Sequence, residues 1–330
     1  MDYRLPERFD DAHILMTREV LELAGVTDDV VLDFSPVRFV LPFATLVFGW
    51  ALIDLFADRS ARGYKTYGKG FDESNGGSYL GYFGFFKTIG FQTGNEPDQA
   101  PGGSRYLPLT RIRLRNLERD AGQNPYQREI ERQCDRLAAV LFPGADNLGA
   151  ADMISFCLRE IIRNCFEHGQ ITTCMAMAQR WANGDAEIAI GDRGMGIMRA
   201  LSQRHRITSA EDAIRKALLP GISSGEGRRV GNKWDNSGFG LYILSELGRR
   251  YGNFSVITSG SYYRGNGSSD FHRLALTGTI VRLKVNTAES DHFPNILKQI
   301  VDEGEKRAKG IAGAIKSASK TSRVGSGWEW

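Results

Sequence analysis

The chain is predicted to be an α/β (α+β) protein of two modest domains, with a mixed, mainly antiparallel sheet in the second. Three observations lead there. Asn183-Gly184-Asp185 separates two apolar runs, 172–181 and 187–192, which is the pattern of a β-hairpin. Just before it, Ile154, Leu158, Ile161 and Cys165 recur at helical spacing. Near the N-terminus, a run at 29–34, a Ser35-Pro36 turn, a run at 37–40 and an apolar stretch from Pro42 give a strand–turn–strand–helix order.

The elements follow in chain order. Residues 7–26 have helical periodicity, 29–34 read as a short buried strand, and a helix is expected over 42–58. The stretch 39–56 is almost wholly apolar, but Pro42, Gly49 and Asp54 interrupt it. A membrane span needs about twenty apolar residues, so a buried strand followed by a core-facing helix is expected, with no membrane partner. Residues 93–107, rich in Gly and Pro, read as an interdomain loop. A strand at 107–114 and a helix at 125–141 come next, the latter with Ile130, Cys134, Leu137 and Leu141 on one face. A helix starting near Ala150, with Asp152 as its cap, leads into the hairpin, whose second strand ends at Asp192. Residues 201–236 are polar and punctuated by Gly225, Gly227 and Gly231, with Arg228, Arg229 and Lys233 between or beside them. Strands at 254–259 and 278–285 complete the sheet. From Pro294 an amphipathic helix fades into a small, polar, basic tail, 317–330, which is expected to be disordered despite Trp328 and Trp330.

Composition bounds the function. With 330 residues, a quarter of them charged, and a net charge of +3, the chain resembles ordinary soluble globular proteins and shows no nucleic-acid footprint. Cys134, Cys157, Cys165 and Cys174 form no Cys-x-x-Cys pair, so neither a disulfide framework nor a zinc site is expected, as suits a reducing cytoplasm. The acidic, polar N-terminus does not read as a signal peptide.

Chemistry concentrates in three short segments. Glu160 and Asn164 stand one turn apart on a helix that ends His168-Gly169. Asp192-x-Gly194-x-Gly196 is an acid at the end of an apolar strand, turning into a new helix. Ser237-Gly238-Phe-Gly240 opens another helix, where free amides and the helix dipole favour a phosphate. Each alone is a common turn or helix face; their order and spacing within about eighty residues suggest a nucleotide site. No Gly-x-x-x-x-Gly-Lys-Ser/Thr occurs, which excludes a P-loop. Arg199 and Ile243 stand where third glycines would complete a Rossmann fingerprint, and no His-Arg-Asp catalytic loop is present.

In sequence, these segments resemble the N box and two glycine boxes of the GHKL, or Bergerat-fold, ATPases. The form Glu160-x-x-x-Asn164-x-x-x-His168-Gly169 looks most like the anti-sigma-factor kinases. The resemblance covers roughly residues 125–286 and closes on a Gly278-Thr279 strand. It implies a two-layer α/β sandwich that binds ATP and Mg2+. Glu160 would be the general base, Asn164 a magnesium ligand and Asp192 the acceptor for the adenine amino group. Gly194 and Gly196 would leave room for adenine, Gly238 and Gly240 would present amides to phosphate, and Thr279 would buttress the base. Residues 201–236 would form a lid. His168 is assigned no chemistry and reads as a helix cap.

Residues 28–92 resemble a STAS-like module, the partner of anti-sigma kinases. Leu41-Pro42-Phe43-Ala44 stands where that family carries its phosphoacceptor segment, so a recognition module that is not itself phosphorylated is expected. Boundaries follow at 1–105, 106–290 and 291–330. The resemblance implies an ATP-hydrolysing regulatory protein whose lid switches contact with a protein partner, with an ATP-dependent homodimer as one form. A serine/threonine protein kinase acting on a STAS-like partner and a non-hydrolysing ATP-bound scaffold are the alternatives. A histidine kinase is disfavoured because only His13 precedes the motifs.

Overall fold

The computed structural model describes residues 1–121, 126–143, 148–224, 237–265, 269–288 and 292–319. The chain begins with strands β1 (Asp2–Arg4) and β2 (Arg8–Phe9), then helix α1 (Thr17–Glu22) flanked by 3-10 turns. The expected helix over 7–26 is therefore confined to its second half. Strands β3 (Val30–Asp33) and β4 (Phe39–Val40) lead into helix α2 (Pro42–Ala61), and β5 (Thr66–Lys69), α3 (Asn75–Tyr82) and α4 (Phe85–Ile89) follow. All pairings here are parallel: β1-β3-β5 form one small sheet and β2-β4 another.

The second part holds β6 (Tyr106–Arg113), α5 (Leu114–Ala121), α6 (Tyr126–Leu141), α7 (Leu148–His168) and the hairpin β7 (Thr173–Arg180) to β8 (Asp185–Asp192). Helices α8 (Gly196–Leu201), α9 (Ala210–Ala217) and α10 (Gly240–Tyr251) follow, then strands β9 (Gly252–Thr258), β10 (Ser261–Gly265), β11 (Ser269–Arg273) and β12 (Thr279–Asn286), and finally α11 (Phe293–Lys309). Seven strands form one sheet in the order β11-β10-β9-β12-β8-β7-β6, and every pair in it is antiparallel. The mixed sheet expected in the second part is therefore corrected to a wholly antiparallel one, and the parallel pairs are confined to the first part. Asp152 lies inside α7 and is not its cap, because the helix begins four residues earlier.

Strand alternation decides what each face meets. On β8, Ala186, Ile188 and Ile190 join a core with α6, α7, α10 and α11, while Ala189 belongs to a second core with the N-terminal part. On β12, Val281, Leu283 and Val285 face the first core and Ile280 the second. The second face of the sheet is covered by α2, which fills it with Phe43, Val47, Trp50 and Ala51, all buried. The apolar stretch 39–56 is therefore spent on that core, and among the described residues no helix is long and apolar enough to cross a membrane. Within 106–290 the sheet carries helices on one face, and the N-terminal part covers the other, so residues on both sides of position 105 share the second core.

One buried cation ties α2 to its surroundings. Arg59 donates to the carbonyls of Leu23, Val26, Asp28 and Lys65 at 2.6–3.0 Å and to Thr66 Oγ1 at 2.9 Å. The four cysteines are buried and free. Beyond α11 the chain turns back: Ala318 and Ser319 are buried, and the Ala318 amide donates to Glu305 at 2.8 Å. The start of the expected disordered tail is therefore packed, while residues 320–330, with Trp328 and Trp330, lie outside the described residues.

Candidate functional site

A cavity enclosing about 910 Å³ of space open to solvent lies between α7, the ends of β8 and β12, α8 and the start of α10. Glu160, Asn164, Asp192, Gly196, Gly238, Gly240 and Thr279 all line it. Gly194 does not. A methyl group there would strike the Gly169 carbonyl, so this glycine serves the close passage of two backbones instead of leaving room for a base. The Met195 amide donates to that carbonyl at 3.3 Å, fastening the end of the Glu160 helix to the Asp192 turn.

Asp192 sits at the last position of β8 on the cavity face, directly opposite Thr279, which in turn is opposite Thr258. Thr258 and Thr279 hydroxyls lie 3.1 Å apart, and Thr258 Oγ1 accepts the Ile197 amide at 2.9 Å. Ser259 accepts the next amide, that of Met198, at 3.2 Å. These two hydroxyl residues, unmarked in the sequence, hold the first turn of α8; their role follows only from register. Gly196 opens that turn at φ +77°, where a side chain is strained, and a Cβ would lie 2.7 Å from Ser259 Oγ.

Asp192 is 4% exposed. Burial pushes its carboxyl up to about 6, although the Gly194 amide at 2.7 Å, the Cys165 thiol and the Thr279 amide bond to it and oppose that shift. A carboxylate offers about four acceptor sites, so beside these three bonds some capacity remains toward the cavity, which Asp192 lines. Cys165, the last residue of the apolar stripe on α7, lies against Asp192 and lines the cavity; hydrogen bonding to Cys174, then burial, hold its thiol well above the ordinary range.

Glu160 is also 4% exposed. Arg159 Nε and Arg163 Nη1 each stand 3.6 Å from its Oε1, close enough for charge balance yet beyond hydrogen-bond reach. Among the described residues that oxygen has no hydrogen-bond partner, and neither has Asn164 Nδ2 one turn on. Among the described residues, two buried polar atoms without a hydrogen-bond partner thus share the wall of one cavity. Arg163 was not singled out from sequence; its spacing three residues after Glu160 was the available signal.

The Glu160 carboxylate meets α10 at its start: a Cβ on Gly240 would lie 2.5 Å from Glu160 Oε2. No side chain caps α10, so its first amides are available at the cavity edge, where Gly240 and Leu241 lie. Gly238, at φ +70°, has its backbone against Ile222, and its carbonyl accepts the Gly221 amide at 3.0 Å. Ile315, from the returning C-terminal segment, donates to the Gly221 carbonyl at 2.8 Å. Residues 225–236, with Arg228, Arg229 and Lys233, lie outside the described residues.

His168 does not cap α7. Its Nδ1 is hydrogen-bonded to Ser224 Oγ at 2.8 Å, and burial, aided by the charge of Arg163, pushes the ring down to about 4. It is therefore neutral at pH 7 and holds the chain near Ser224 without contributing charge. Among the described residues no cluster of three or more His, Cys, Asp or Glu side chains could hold a metal. No protein-family model, curated protein or solved structure matches this chain.

Proposed function

We propose that the cavity binds ATP with magnesium and that the chain is an ATP-hydrolysing regulatory protein, of the GHKL kind that its motifs resemble. One observation carries most weight: seven of the eight residues singled out from three separated motifs and the closing Gly278-Thr279 strand line a single cavity.

In this reading the adenine amino group donates to the free acceptor capacity of Asp192, beside Thr279. The amides at the start of α10 receive phosphate oxygens. Asn164 would hold the magnesium ion, which usually keeps several waters and needs only one or two protein ligands besides the phosphates. The ion would neutralise phosphate charge. Glu160 orients and deprotonates the attacking water, with Arg159 and Arg163 offsetting the negative charge that gathers around it. Nucleotide state would then be read by a protein partner, as the STAS-like resemblance of the N-terminal part suggests.

ATP turnover with magnesium, measured beside Glu160→Ala, tests this. The variant should bind ATP but hydrolyse it at least a hundredfold more slowly. Turnover undiminished in Glu160→Ala removes the assigned base. Failure of the wild type to bind ATP removes the whole proposal.

A further inference from the structure

We infer that α2 of the N-terminal part positions Asp192 for base recognition, through Trp50 and Asp54; the inference rests on the ATP reading of the cavity.

Helix α2 runs along β8 and is tied to it at three levels. At its start, the Phe43 amide donates to Glu187 Oε1 at 3.0 Å, which places a buried carboxylate at a helix N-terminus. Two turns on, the Trp50 indole N–H donates to the backbone carbonyl of Asp192 at 3.2 Å. One further turn on, the Asp54 carboxylate pairs with Arg193 and accepts from Thr277, from its hydroxyl at 3.1 Å and its amide at 3.4 Å. Trp50 and Asp54 are four residues apart and share one helix face.

These contacts fall on the residues that aim the site. Arg193 lies between Asp192 and Gly194, and Thr277 lies two residues before Thr279. Asp54 therefore bridges the end of β8 and the approach to β12, the two strands that carry the Asp192–Thr279 pair. Alternation sends Glu187 and Gly191 toward α2 and Asp192 toward the cavity. Gly191 has no side chain where the Trp50 ring lies; a Cβ there would be 3.1 Å from the indole. Trp50 is 2% exposed, so the ring has no room to shift without moving the strand. A hydrogen bond to the Asp192 carbonyl fixes the peptide plane that follows this residue. It thereby fixes the direction in which the carboxylate leaves the backbone.

Base recognition depends on that direction. The adenine amino group donates, whereas a 6-oxo purine presents an acceptor to the same carboxylate. Discrimination between them is lost when the carboxylate is displaced by a fraction of an ångström, whereas phosphate contacts at α10 are not. Trp50 and Asp54 are positioning residues: they touch the strands and not the nucleotide.

The test is calorimetric titration of the full chain with Mg-ATP and with Mg-ITP, whose base carries oxygen in place of the amino group. Wild type, Trp50→Phe and Asp54→Asn are compared. Trp50→Phe keeps most of the ring and removes the N–H; Asp54→Asn keeps the shape and removes the charge at a partly solvated position, so it serves if the first variant folds poorly. The expected result is a preference of wild type for ATP that falls about fivefold in each variant, the worth of one hydrogen bond, with ITP affinity held within about twofold. Equal losses for both nucleotides, or an unchanged preference, overturn the inference and leave the ATP site standing. A wild type that binds neither nucleotide overturns the site reading itself.

Discussion

Replacing Asp192 by asparagine should make the protein more stable and less able to bind ATP. A carboxyl with an ordinary value of 3.8 is pushed up to about 6 by burial, so ionising it in the folded chain costs about 3 kcal/mol, at roughly 1.4 kcal/mol per pH unit. The folded value lies above the unfolded one, so the folded chain binds this proton more tightly. The penalty is absent below 3.8, grows as pH rises through the interval, and is complete above about 6. Asp192→Asn removes it. The amide oxygen can still accept the Gly194 N–H, which the carboxylate accepts at 2.7 Å, while the Cys165 thiol and the Thr279 amide lose a charged acceptor, which offsets part of the gain. At pH 7 the variant should be stabilised by up to about 3 kcal/mol, and near pH 4 the two proteins should converge. ATP affinity moves the other way. A carboxylate has a second oxygen for the adenine amino group, whereas the amide then presents its own NH2. The loss should be tenfold or more, as expected for a hydrogen bond to a charged acceptor worth about 1.5–3 kcal/mol. For the same reason wild-type affinity should weaken as pH falls below about 6. Thermal unfolding across pH 4–8, with ATP titrations at pH 5.5 and 7.5, reads both effects. Parallel stability curves for the two proteins would refute the burial argument, and unchanged ATP affinity in the variant would refute the assigned contact.

Two further outcomes follow from packing. Gly194→Ala should lower stability by about 1–3 kcal/mol, because its methyl group meets the Gly169 carbonyl rather than a flexible side chain; denaturant unfolding beside Gly260→Ala, where a Cβ would meet nothing within 4 Å but φ is +82°, separates crowding from backbone strain. Arg59→Met should cost on the order of 3 kcal/mol, since the carbonyls of Leu23, Val26, Asp28 and Lys65 lose a shared donor. A melting temperature unchanged by Arg59→Met would show that water replaces the guanidinium at those carbonyls.

Sequence alone determined what short-range physics controls. The Asn183-Gly184-Asp185 turn, with Gly184 at φ +86°, forms the β7–β8 hairpin. The stripe Ile154, Leu158, Ile161 and Cys165 is buried on α7, and the glycine-opened helices begin at Gly196 and Gly240 as their turns require. The candidate site was legible because its residue types recur at fixed local spacing. The strand expected over 37–40 is present as β4, but β1 and β2 were not legible: they span three and two residues, too few to show alternation, and their parallel partners lie far along the chain. The β10–β11 hairpin was missed as well.

Only the tertiary structure decided which residues share a function across those distances. Gly194 is a glycine because Gly169 passes against it, a contact between segments with no local pattern in common. Thr258 supports α8 because register places it beside Thr279, and Ser259, next in the chain, takes the following amide. Trp50 looks like one more apolar residue in a hydrophobic run, and its bond to the Asp192 carbonyl joins positions 142 residues apart. Apolar content tells a helix that it must be buried. Against which face it is buried depends on the summed packing of the whole chain, and here that choice sets α2 behind the strand that carries Asp192.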